Sequence, residues 1–308
     1  MERADVEAEE VLKVLSFCIS QIKWRLKNSS KRRLETDILA LCSGMRPVVM
    51  VDYGGKMPEL QRHLCAVLEL IQKEGSATFK KLRVMVIEDM IYLINIGEFA
   101  EYVAWSLSSE VKLFFVDLEQ DPPEMITKPG ESLVAMQLLL IQKLFSSVFT
   151  VNGVNNDVLH FQTENDVATA KSAITEHDHA QFSLLIDMSV CMKDSKLTIP
   201  TLNGWLLGYP IVYIFGKDHI SDAIYNLSTK SLHLFKILVY RNIAHANRTQ
   251  TEELLSFSVP YDLSMEGSNE PWAEAFLLHM QAKWERCKQA WRSLQMEVTQ
   301  CYPQAIAL

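Results

Sequence analysis

Four strand-like runs in this sequence end in carboxylates. Val48–Val51 leads into Asp52, Val84–Ile87 into Glu88 and Asp89, Lys112–Val116 into Asp117, and Leu184–Ile186 into Asp187. Where such runs are parallel strands, their carboxyl ends are where an open α/β sheet receives a ligand. Carboxylates gathered there suit Mg²⁺, a hard cation that takes oxygen ligands, and the cation can engage a phosphate. On this reading Asp52, Asp89 and Asp117 form the metal set, and Asp52, Gly54, Gly55, Asp117 and Asp187 form the ligand-binding set. The same residues in the same places also cap helices, because an acidic side chain accepts from free N–H groups and meets the positive end of the helix dipole. Capping is the commoner use.

The loop Asp52-Tyr53-Gly54-Gly55-Lys56 joins a strand to a helix, where glycines let backbone N–H groups approach an anion. It lacks the spacing of a Walker A loop, and Met57 follows the lysine where Ser or Thr is needed. A plain tight turn accounts for the glycines as well. With Asp121-Pro122-Pro123-Glu124 downstream, the arrangement loosely resembles a nucleotide-type methyltransferase, which implies S-adenosylmethionine. The alternating glycines of that family are missing, and Glu124 stands where it has an aromatic residue. Glu176-His177-Asp178-His179 holds ligand-type residues but reads as a solvated connection, and His160 lacks the second His-x-Thr/Ser copy of a phosphoesterase signature. Cys191 becomes a nucleophile only beside a base; otherwise it is a buried thiol.

The elements that position these residues follow from periodicity. Residues 6–26 read as a helix with Leu12, Leu15, Ile19, Ile22 and Leu26 on one face, and residues 33–43 as a shorter one. Strands near 48–51, 84–87 and 112–116 then alternate with helices near 57–73, 97–107 and 131–148. That order predicts βαβ units. Met90–Ile94 reads as a bent continuation of the second strand, and the apolar run from Leu133 to Phe145 as a buried helix. In the second half, strands are expected at 184–186 and 211–215, with an antiparallel pair at 232–240 and 254–259. Leu202–Phe215 reads as core, with Pro210 at the start of its strand. The expected fold is α/β: one layered domain over 1–308, with a weaker division near 152–157. Its sheet is expected to be mixed, mostly parallel in the first half and antiparallel in the second, with long helices at both ends. The last helix is predicted over 271–300, where Leu277, Met280, Trp284, Cys287, Trp291, Leu294 and Val298 alternate by three and four. Such seams either pack internally or bind a protein partner, so the terminal helices are the expected partner surface.

Composition narrows the class. Thirty Lys+Arg against 38 Asp+Glu give a net charge of −8, which disfavours nucleic acid as a partner. Six scattered cysteines without a C-x-x-C pair read as reduced core thiols. No apolar run is long enough for a membrane span. The acidic start through Glu10 is the opposite of a secretory leader, so the expected location is the cytoplasm, with the nucleus left open by Lys31-Arg32-Arg33.

Three blocks carry a family resemblance: Arg46-Pro47 to Tyr53-Gly54, Leu202-Asn203-Gly204-Trp205-Leu206-Leu207-Gly208-Tyr209-Pro210-Ile211-Val212-Tyr213, and Ser256-Phe257-Ser258-Val259-Pro260. Together they resemble an animal protein family of unknown function, the human chromosome-one open-reading-frame-seventy-four-like family. The resemblance implies no activity, cofactor or site residue. The expected function is therefore a non-catalytic, intracellular interaction or scaffold protein. The alternative is a metal-dependent enzyme for a phosphate or nucleotide ligand, or a protein that resembles an S-adenosylmethionine-dependent methyltransferase, using the acidic strand ends.

Overall fold

A computed structural model describes residues 8–108, 113–150, 153–155, 184–241 and 251–306. The first elements in chain order are α1 (Ala8–Gln21), α2 (Asn28–Cys42), β1 (Val48–Met50), α3 (Glu59–Glu74), β2 (Leu82–Ile87), β3 (Met90–Asn95) and α4 (Ile96–Ser106). Then come β4 (Phe114–Asp117), β5 (Glu124–Met125), α5 (Leu133–Val148), β6 (Phe149–Thr150), β7 (Gly153–Val154) and β8 (Leu185–Asp187). The last are α6 (Ile199–Leu206), β9 (Ile211–Ile214), α7 (Ile220–Ser228), β10 (Leu232–Arg241), β11 (Thr251–Pro260), α8 (Pro271–Glu285) and β12 (Trp291–Cys301). The chain falls into two compact units, Met1–Leu107 with Lys143–Lys193, and Ser108–Gln142 with Asp194–Leu308.

The first unit is built on a four-stranded sheet in the order β1-β3-β2-β8. Val84, Met85, Val86, Ile87, Ile91, Tyr92, Leu93 and Ile94 are all buried, as continuous apolar strands covered on both faces must be. α3 packs on β2, and α2 and α4 pack on β3. Asn95 fixes the start of α4: its side chain accepts from the Gly97 and Glu98 N–H groups and donates to the Leu41 carbonyl. Only β8 runs parallel to its neighbour β2; β1–β3 and β2–β3 are antiparallel. This corrects the mostly parallel sheet expected of the first half. Glu88-Asp89 is a two-residue hairpin turn, with Glu88 at φ 52, so Met90–Asn95 doubles back instead of continuing the strand.

The second unit carries two three-stranded sheets, β5-β4-β9 and β11-β10-β12. In the first of these β4 and β9 are parallel and β5 is antiparallel to β4. Leu202–Phe215 is core, as its sequence predicts: Leu202, Trp205, Leu206, Val212 and Phe215 are fully buried, and Pro210 sits just before β9. A Cβ at Gly204 would lie 3.1 Å from Val212 Cγ1 and 3.3 Å from Val212 Cα, so glycine here allows α6 to lie directly on β9. β10 and β11 form the expected antiparallel pair. On that sheet Phe235 stacks on Phe257 at 5.2 Å, and Trp272 and Phe276 of α8 close over them edge-on.

The fold is thus α/β with mixed and antiparallel sheets, but the last helix is shorter than its seam suggested. α8 ends at Glu285, and Trp291–Cys301 is a strand paired along its length with β10. Leu294, Met296 and Val298 also alternate with period two, which serves a half-covered strand, and they stand opposite Val239, Ile237 and Phe235. At the other end, α1 stops at Gln21 and buries Val11, Leu15, Cys18 and Ile19. The seam expected to continue to Ile22 and Leu26 therefore leaves the helix.

Candidate functional site

The expected site residues lie in different places. Asp52, Asp89 and Asp187 belong to the first unit and Asp117 to the second. Asp52 is exposed, next to a loop that is tied down from two sides. Trp24 Nε1 donates to the Gly54 carbonyl at 2.8 Å, and the Tyr53 hydroxyl donates to the buried Asp37 at 2.7 Å. Gly54 has φ +85, and a Cβ there would come within 2.9 Å of both Leu26 Cδ2 and Trp24 Cζ2. Packing under Trp24 and Leu26 therefore accounts for this glycine. Gly55 is exposed beside it, at φ 153. Asp89 is exposed at the tip of the β2–β3 hairpin.

Asp187 is exposed and accepts the Ser189 N–H at 2.8 Å, while Ser189 Oγ accepts the Glu88 N–H at 2.8 Å. Asp187 caps the turn after β8, and Ser189 joins that turn to the hairpin. Among the described residues no three His, Cys, Asp or Glu side chains are gathered so that they could hold a metal ion. Burial, with the Glu88 and Asp187 charges nearby, pushes the Cys191 thiol up to about 12, which keeps it protonated. His160 and the Glu176–His179 cluster lie outside the described residues.

Asp117 lines a cleft. β4 and β9 lie side by side in parallel with Asp117 opposite Ile214, and beyond their carboxyl ends opens a space of about 540 Å³. Its wall carries Asp117, Glu119, Glu124, Glu131 and Asp218 against Lys128, Lys196 and His219. Lys128 pairs with Glu131 at 3.0 Å and Lys196 with Asp218 at 3.3 Å, and His219 stands between Glu119 and Asp222. Glu119 accepts the Gly216 N–H at 2.8 Å through Oε1, and its Oε2 lies 3.7 Å from His219 Nε2. The other ring nitrogen, Nδ1, is 2.8 Å from Asp222 Oδ2. The hydrogen bond to Asp222, then the charge of Glu119, raise the His219 pKa and favour the imidazolium.

Asp117 accepts the Glu119 N–H at 2.8 Å. Burial pushes its carboxyl upward; the N–H and His219 oppose this, and the Glu119 and Glu124 charges add to it. Asn226 of α7 is buried and donates to both the Leu118 and Gln120 carbonyls, which pins the loop behind Asp117.

The helix at the rim of this cleft is not the buried helix its composition suggested. Val134, Ala135, Leu138 and Ile141 face inward, but Leu133, Met136, Leu139 and Leu140 are 53%, 43%, 43% and 63% exposed. At 100° per residue these four occupy one continuous side of α5. Leu133 also lines the cleft, so the apolar side begins at the cleft's edge. Gln137 Oε1 accepts from Lys196 N at 3.0 Å and Ser195 Oγ at 3.3 Å, which fixes the helix against the strand-like segment bearing Lys196.

A family model described as Domain of unknown function (DUF4504) matches residues 16–308. The chain belongs to that family. No curated protein and no solved structure matches it.

In this DUF4504 chain, the residues singled out from the sequence include Asp117 of this cleft but not Glu119, Lys196 or His219. A signal existed for His219: Lys217-Asp218-His219 follows a predicted strand, and the carboxyl-end rule applies to that strand as it does to β4. The run Ile211–Phe215 ends without an acid, so no terminal carboxylate marks it.

Proposed function

We propose that this chain is a non-catalytic interaction protein whose docking surface is the exposed side of α5 with the acidic cleft it borders. The observation that carries this reading is the run Leu133, Met136, Leu139 and Leu140, exposed on one side of one helix. Contiguous apolar surface rimmed by polar groups marks interaction sites. Taking one such side chain out of water contributes about 1.5–3 kcal/mol, of which ordering and association costs absorb part. The chemistry nearby supports the same reading. His219 is held toward its charged form between carboxylates, and Cys191 as a buried thiol, so neither is poised as base or nucleophile.

The test is a photo-crosslinking residue placed at Leu140 or, as a control, at Leu278, an isolated exposed leucine on α8. The expected result in cells is a discrete protein adduct from position 140, lost on Met136→Asp and absent from position 278. Equal labelling from both positions, or none from 140, overturns the proposal.

The alternative, a ligand-binding enzyme, is supported by the position of Asp117 at the carboxyl ends of two parallel strands. A phosphate ligand would meet five carboxylates there and would need a cation with it. A melting-temperature rise with Mg²⁺ plus nucleotide, or with S-adenosylmethionine, that Asp117→Asn abolishes would favour this reading.

A further inference from the structure

The chemistry of the surface also restricts what can cover it. Leu133 to Leu140 spans about 10 Å of helix axis, two turns, so an occupant must present apolar groups over a similar length. The backbone of α5 is consumed by its own hydrogen bonds, so the helix has no free strand edge to offer. A segment docked on it must satisfy its own N–H and C=O groups, which a helix does and an extended strand does not. At the Leu133 end the apolar side runs into the cleft, where Asp117 and Glu124 remain after Lys128, Lys196 and His219 have paired with Glu131, Asp218 and Glu119. An acidic occupant would be repelled there. A lysine or arginine can lay its alkyl stem along Leu133 and Val134 and bring its charge to the carboxylates.

We infer that the occupant is a basic amphipathic helix of a partner protein, with apolar side chains along Leu133, Met136 and Leu140 and a cationic side chain beside Asp117 and Glu124. This rests on reading α5 as a docking surface and adds the partner's chemistry. It also restricts the mode: the apolar stripe supplies the contact area, and the cleft sets orientation and charge preference. The net charge of −8 alone would draw any polycation, so the inference requires that both features act together.

The test uses the full chain and three labelled synthetic peptides of equal length: a leucine/lysine amphipathic helix, a leucine/glutamate helix of the same pattern, and a serine/lysine peptide of the same charge. Phosphatidylcholine vesicles with and without phosphatidylserine serve as a fourth probe. The expected result by fluorescence anisotropy is that the leucine/lysine peptide binds at least about tenfold more tightly than the other two. Leu140→Asp and, separately, Met136→Asp should each weaken it by about tenfold or more. Asp117→Asn with Glu124→Gln should weaken it by about fivefold or more, whereas Glu10→Gln with Glu274→Gln, the same charge removed from exposed positions elsewhere, should not. Unchanged melting temperatures would show that each variant remains folded.

Equal loss with both charge pairs, or binding insensitive to Leu140→Asp, is general attraction to an acidic chain and overturns the inference. Leu140-dependent preference for the leucine/glutamate peptide overturns the partner's charge but keeps the docking surface. Leu140-dependent binding to vesicles and to no peptide overturns the protein partner in favour of a membrane. No Leu140-dependent binding of any probe overturns the inference, and the crosslinking at position 140 then decides separately whether the docking surface stands.

Discussion

His279 shows how a single side chain ties this fold to pH. It sits on α8 in a half-buried position, and burial, followed by the Lys283 and Arg286 charges, lowers its pKa from 6.5 to about 4. A histidine with a depressed folded-state pKa binds its proton more readily when the chain unfolds. The stability contributed by keeping it neutral is therefore present above its ordinary pKa and lost as pH falls from 6.5 toward about 4. The largest slope one group can give is about 1.4 kcal/mol per pH unit. Denaturant midpoints measured at pH 7 and pH 4.5 should fall less in His279→Gln than in the parent chain. Equal falls would show that His279 titrates normally in the folded state. Nothing in the sequence marks His279, because its shift comes from packing and from the cations of Lys283, one turn on, and Arg286, just past the end of α8. Gly54 is the opposite case: visible as a glycine between strand and helix, it invites an anion-binding reading, while its neighbours Trp24 and Leu26 give a packing reason that no local pattern contains.

At the level of elements, most strands and helices were legible from their apolar runs and periods, and the failures have separate causes. A spacing of three and four and a spacing of two can coincide over a short stretch. Trp284, Cys287 and Trp291 fit a helical seam, but Leu294, Met296 and Val298 fit a strand equally, and the free edge of β10 decides between them by offering a full ladder of hydrogen bonds. The hairpin at Glu88-Asp89 was hidden for a different reason, since neither residue is a usual turn glycine or asparagine.

The contact of α6 with β9 is an element-scale feature that can be tested. Gly204→Ala places a methyl 3.1 Å from Val212 Cγ1 and 3.3 Å from its Cα, so the fully buried Val212 or the helix must give by a few tenths of an ångström. The expected cost is about 1–3 kcal/mol, as for other overpacked sites. In a Val212→Ala background the Cγ1 contact is gone, and the added cost of Gly204→Ala should fall measurably, leaving only what the strand backbone imposes. A cost that is the same in both backgrounds would place the strain elsewhere than at Val212.

For the whole molecule, composition separates α/β from disordered or collagen-like classes, and no described helix is long and apolar enough to cross a membrane. Composition also explains why α5 misled. A helix rich in leucine on all sides is ordinarily interior, so Leu133–Phe145 read as core, and only the structure shows that one side is covered and the other is not. An exposed apolar side and a net charge of −8 act in opposite directions on solubility, the first drawing copies together and the second keeping them apart.

That opposition yields a prediction for the chain on its own. Met136→Lys with Leu140→Lys replaces two side chains that are 43% and 63% exposed, so little burial is lost, and surface changes of this kind usually alter stability by less than about 0.5 kcal/mol each. The double variant should therefore keep the parent's melting temperature while binding less of a hydrophobic dye. The substitutions also bring the net charge closer to zero, from −8 to −6, so charge alone would make the variant more prone to associate, not less. A fall in self-association on sizing at high concentration would then have to come from the loss of apolar contact, which separates the two effects in one measurement. A melting temperature lowered by many degrees would mean instead that Met136 and Leu140 are packed against something, and the exposed side of α5 would cease to be a surface at all.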